Sequence, residues 1–182
     1  MHFSQFSAVA LMAVSLVAGI PTQAPSAADA TTHTVVVGSS NTDLLVFTPQ
    51  ELNAKTGDKV EFQFSERNHT VTQSAFDSPC QPMANAIHSG FVPTTANQSM
   101  VTTFTMTVNS TAPMFLYCAQ GKHCQAGMVM TINASNGTQN VGTYKAAAAK
   151  AASNVPAKKV SGGVVGKIAL DKATTVPLRR RI

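Results

Sequence analysis

The chain has 182 residues, 44% of them hydrophobic and only 12% charged, which leaves room for one core of ordinary size and about half the usual share of charge. Its net charge of +5 is unevenly spread: residues 1–136 hold four basic residues against seven acidic ones, and residues 137–182 hold nine against Asp171 alone. The positive excess therefore belongs to the C-terminal segment, and nucleic-acid binding by the folded part is excluded from the expected functions.

Residues 6–20 are almost wholly apolar, too short a run to span a bilayer, and small residues follow. This pattern predicts a secretory leader over residues 1–24. Cleavage is expected within 18–30, with Ala24, Ala28 and Ala30 meeting the small-residue rule, and an extracellular product follows.

From His33 onward the pattern has period two. Val60, Phe62 and Phe64 alternate with Lys59, Glu61 and Gln63, and Phe104, Met106 and Val108 alternate with Thr103, Thr105 and Thr107. Shorter β-branched or apolar runs lie at 34–37, 44–47, 69–72, 114–118 and 128–132. Turn residues separate them at 38–41, 56–58, 65–68 and 109–113. Seven to eight short strands in about a hundred residues predict an all-β Greek-key sandwich or small barrel over residues 31–136. Residues 81–87 are expected to form a short helix. Asn68, Asn97, Asn109, Asn133 and Asn136 each begin an Asn-x-Ser/Thr sequon. Glycans are expected at Asn97, Asn109, Asn133 and Asn136, whereas Asn68 precedes a histidine expected to point inward.

Residues 137–182 are rich in Lys, Ala, Gly and Val, carry three arginines at 179–181, and show no apolar face. They predict a disordered, low-complexity basic tail, able to associate weakly with an acidic cell wall or membrane surface. No hydrophobic stretch closes the chain, so a lipid-anchor signal is not expected.

The chemistry is concentrated in Cys118-Ala-Gln-Gly-Lys-His123-Cys124-Gln-Ala-Gly-Met128. A thiol, an imidazole and a thioether are the side chains that a trigonal copper site with a weak axial sulfur uses. The second imidazole is expected from His69, in Asn68-His69-Thr70-Val71. Of the three cysteines, Cys124 directly follows a proposed ligand, so on an extended segment its side chain points away from that of His123. It is then free to pair with Cys80, a bridge that would constrain the unfolded chain. Cys118 remains as the odd thiol, protected if it binds a metal. Zinc takes the same donors, but a single thiolate disfavours a structural zinc site.

The block from Phe115 to Asn133, together with Phe47-Thr48-Pro49, the run at 57–62, Asn68-His69-Thr70-Val71 and Ser89-Gly90-Phe91, resembles the plastocyanin-like cupredoxins. The similarity is nearest to the plant phytocyanins and the secreted fungal extracellular serine-rich proteins, and it covers roughly residues 34–134. It implies one type 1 copper site with His69, Cys118 and His123 equatorial and Met128 axial, a Cys80–Cys124 disulfide, and single-electron transfer to an unidentified redox partner by a monomer. The alternative is a non-catalytic extracellular module that sequesters copper or is stabilised by it. Paired His-x-His segments, which multicopper oxidases need, are absent, and no enzymatic activity is expected.

Overall fold

The computed structural model describes residues 30–38, 45–95, 98–134 and 137–174. The leader over residues 1–24 and the sequons at Asn97 and Asn136 lie outside the described residues, as does residue 44, the first of the run at 44–47.

Two sheets enclose the core. The first takes β1 (Thr32–Val37), β2 (Phe47–Thr48), β4 (Lys59–Phe64), β8 (Met100–Thr107) and β11 (Val164–Ala169), in the order β11-β8-β4-β1-β2. The second takes β3 (Glu51–Leu52), β6 (Thr72–Ser74), β9 (Met114–Tyr117) and β10 (Val129–Ile132), in the order β3-β10-β9-β6. A separate ribbon pairs β5 (Arg67–His69) with β7 (Val92–Thr94). The alternation in β4 turns Val60, Phe62 and Phe64 inward, where they meet Val35, Val37, Phe104, Leu116, Met130 and Ile132. This is a cupredoxin-like β-sandwich. Its strand count exceeds the expected seven to eight because two- and three-residue pairings leave too little alternation to read, and because β11 comes from the supposed tail.

β1 pairs in parallel with β4, from Thr32 opposite Lys59 to Val37 opposite Phe64. Asp58 fixes the start of this pairing. Its carboxylate accepts from the Thr31 and Lys55 backbone N–H groups at 3.0 and 2.9 Å and contacts His33 Nε2 at 2.8 Å. The His33 bond, then the two backbone donors, pull its pKa down to about 2. His33 is thus engaged five residues, roughly 16 Å of strand, before Gly38.

Two expectations are corrected. Residues 81–87 form turns rather than a helix; Pro82 lacks an N–H and Asn85 takes a left-handed φ of 55°. The disordered tail is corrected for residues 137–174, which form a strap over the sandwich. Helix α1 (Val141–Ala148) is capped by Asn140, whose side chain accepts from Thr143 N–H. It buries Tyr144 and Ala148, one turn apart, in a second apolar cluster with Phe76, Phe115, Tyr117 and Val129. The Tyr144 hydroxyl bonds Ser74 Oγ at 2.6 Å. Further on, β11 adds an edge to β8, from Val164 opposite Thr105 to Ala169 opposite Met100. Gly163 permits that approach: a Cβ there would lie 2.6 Å from Phe104 Cζ. One aromatic and a few small residues suffice to dock the segment, and composition alone does not register them.

Candidate metal centre

Three strand ends deliver the donors. β5 ends on His69, β9 runs directly into Cys118, and Met128 immediately precedes β10. The loop between Cys118 and Met128 is closed on itself. Cys118 N–H donates to Met128 O at 3.1 Å, Met128 N–H to His123 O at 2.9 Å, and His123 N–H to Gln120 O at 2.9 Å. Gly121 and Gly127, with φ of 49° and 95°, supply the left-handed turns. His123 Nδ1 lies 3.4 Å from Cys118 Sγ, and His69 Nδ1 lies 3.8 Å from it. The three donor atoms fall within 4.8 Å of one another.

His69 and Cys118 are held from behind. His69 Nε2 donates to Glu66 O at 3.1 Å, which leaves the Nδ1 lone pair facing Cys118. Thr70 N–H donates to Cys118 Sγ at 3.3 Å, and Thr70 Oγ1 accepts from Ala119 N–H at 2.7 Å. Thr70 Oγ1 continues through Thr72 Oγ1 to His88 Nδ1, each step 2.9 Å. Gly38, φ 101°, passes so close to the His69 ring that a Cβ there would overlap it. Asn68 Nδ2 donates to Gln120 Oε1 at 3.0 Å, tying the segment before His69 to the ligand loop.

Burial shapes the electrostatics. It lowers the His69 pKa to about 4, helped by the neighbouring His123 and Arg67 charges and opposed by the Glu66 bond. It also lowers that of His123, again with Arg67 contributing. Both imidazoles are therefore neutral, with lone pairs free, at neutral pH. The Cys118 thiol is pushed up by burial, against the backbone donors of Gln120 and Thr70 that stabilise a thiolate. A cation that replaces the thiol proton would remove the main cost of that buried charge.

Of the residues expected from sequence, His69, Cys118 and His123 converge. Met128 is fully buried in the core cluster that contains Cys118 and pairs with it through the backbone. Cys80 and Cys124 form a disulfide across a separation of 44 residues. Asn109 is exposed. Asn133 differs: its amide accepts from Ala54 N–H at 2.8 Å and donates to Ala54 O at 2.9 Å. Sequence reasoning missed the supports Gly38, Thr70, Thr72 and His88. In sequence Gly38 reads only as a turn residue, and nothing local marks the others.

Two neutral imidazole nitrogens and one sulfur, less than 4 Å from nitrogen to sulfur, leave room for one first-row ion bonded at roughly 2.0–2.3 Å. The donor set of two imidazoles and one thiol, with Met128 paired to Cys118 through the backbone, matches copper better than zinc. Fold and site together define a β-sandwich metalloprotein of the copper-binding kind. No family model matches the chain. A curated protein of Arthroderma benhamiae described as "Probable GPI-anchored cupredoxin-1" is 33% identical over 137 residues, covering 75% of this chain and 70% of that one. The chain belongs to the cupredoxins. An "Extracellular serine-rich protein" of the same organism is 36% identical over 140 residues, 76% of this chain; the chain spans about half of that relative, 53%. Among solved structures, native pseudoazurin from Hyphomicrobium denitrificans has a TM-score of 0.44 at 17% identity, covering 65% of this chain and 97% of its own. A purple cupredoxin from Nitrosopumilus maritimus has a TM-score of 0.43 at 14% identity, covering 57% and 99%.

Proposed function

We propose that the protein is a secreted single-electron carrier with one type 1 copper site. The observation that carries this reading is the convergence of His69 Nδ1, Cys118 Sγ and His123 Nδ1 within 4.8 Å, in a pocket that shields the sulfur from water. Copper held there by His69, Cys118 and His123, with Met128 as the weak axial donor, would supply a one-electron couple.

The chain's own part is to keep the donors still. Glu66 O and Gly38 restrain the His69 ring, and the disulfide pins the loop beside His123. Donors that do not move between oxidation states lower the reorganisation that accompanies electron transfer. The Thr70 N–H on the sulfur favours negative charge there and so tunes the potential. His123 is the one of the three donors that is partly exposed, and its outer edge serves as the electron exit. The disulfide and the apolar leader support extracellular location, as do the printed names of the two relatives. Exposed Asn109 is the described sequon best placed for a glycan, and the basic strap adds weak attraction to acidic wall or membrane surfaces.

Voltammetry on the copper-loaded protein tests the carrier role. A reversible one-electron wave with fast self-exchange is expected. Loss of the metal on reduction would contradict the carrier and favour copper sequestration.

A further inference from the structure

The loop that carries Cys118 and His123 is gripped from outside by a residue in the C-terminal strap. Asn154 Nδ2 lies 3.0 Å from Cys118 O, 3.0 Å from Gly121 O and 3.5 Å from Gln120 O. A side-chain amide has two N–H donors, and two acceptors stand at full hydrogen-bond distance, one for each. The opposite orientation would press Oδ1 against three carbonyl oxygens, so the amide has one admissible setting. Its own oxygen is buried without a hydrogen-bond partner. A space-filling side chain would avoid that stranded oxygen; the amide accepts it in order to hold the carbonyls.

The backbone around Asn154 is fixed on both sides. Gln81 Nε2 donates to Ser153 Oγ at 2.8 Å. Val155 N–H donates to Cys80 O at 2.9 Å, and Val155 O accepts from the Tyr117 hydroxyl at 2.6 Å. The strap thus presents Asn154 from anchors on the disulfide arm and on β9, the strand that leads into Cys118. The two carbonyls it joins lie at either end of the turn, one belonging to a ligand and the other to Gly121, whose φ of 49° sends the chain back to His123.

We propose that Asn154 is a positioning residue of the metal centre, setting the separation of Cys118 and His123 by clamping the carbonyls of Cys118 and Gly121. The strap is then one wall of the site rather than an appendage. This inference rests on the copper reading above, and part of its test is independent of that reading.

The variants are Asn154→Leu, similar in size but without a donor, Asn154→Ala in case the leucine variant does not fold, and Asn154→Gln, which restores a donor on a longer arm. In the metal-free full chain, the His123 amide, bonded to Gln120 O, is expected to exchange its hydrogen at least tenfold faster in the leucine and alanine variants. Exchange of amides in β4 and β8 should be unchanged, and the glutamine variant should recover part of the protection. In the copper-loaded chain the same two variants should shift the reduction potential and the thiolate-to-copper absorption band, the glutamine variant less. Parent-like His123 exchange in the alanine variant, or a uniform rise across β4 and β8, would overturn the proposal. So would an unchanged potential and band in a copper-loaded alanine variant. A parent chain that shows no thiolate-to-copper band would instead count against the copper reading, while the metal-free exchange still decides the role of Asn154.

Discussion

Gly38 is the residue that most directly limits His69. It belongs to neither the ligand loop nor the ribbon that carries the histidine, yet its missing Cβ is what lets the ring occupy its place. Gly38→Ala would combine an overlap with the ring and a φ of 101° that side-chain-bearing residues rarely adopt. A loss of roughly 1–3 kcal/mol in urea unfolding is expected from the backbone alone. Copper affinity should fall by roughly 10–100-fold, as when other groups that orient a ligand are removed; competition with a chelator measures it. Parent-like affinity would show that the ring has room to move. Gly38 illustrates how the site is only partly legible at this scale. Cys118, His123 and Met128 declare themselves by spacing within eleven residues, and His69 by the segment Asn68-His69-Thr70-Val71. Gly38, Thr70 and His88 act through backbone contact and a hydroxyl relay whose partners lie far along the chain. Their chemistry is too ordinary to stand out in sequence.

At the scale of elements, the strands that alternate cleanly were the ones that could be read. β4 turns Val60, Phe62 and Phe64 inward, β8 turns Phe104 and Met106 inward, and their pairing places Phe62 opposite Phe104. The strap was illegible for the opposite reason. Its helix buries one tyrosine and one alanine, and its strand is an edge whose outer residues remain exposed, Val164 at 72%. What docks it is concentrated in Tyr144, which contacts Phe76 and Phe115 and caps its burial with a bond to Ser74. Tyr144→Ala is therefore expected to cost roughly 3–5 kcal/mol, the range for removing a large buried ring. Tyr144→Phe should cost only about 1 kcal/mol for the lost hydrogen bond. Equilibrium denaturation of both variants checks the pair. A change under about 1 kcal/mol for the alanine variant would mean that the strap contributes little to the fold.

For the whole molecule, the two sheets, the ribbon and the strap meet at one end of the sandwich, where the ligand loop lies. The disulfide joins the segment at Cys80 to that loop, and in the chain-entropy view such a closure contributes roughly 4 kcal/mol. The cationic segment, expected to trail in solvent, instead brings Lys145 across Gly127, beside Met128. The charge asymmetry read from sequence thus becomes a feature of the surface near the metal loop. All of these parts converge on the buried thiol of Cys118. The most direct test is the visible absorption spectrum of the copper-loaded protein, read beside that of Cys118→Ser. An intense thiolate-to-copper charge-transfer band is expected in the parent and none in the serine variant. A colourless copper-loaded parent, or a band that survives the loss of Cys118, would contradict the account.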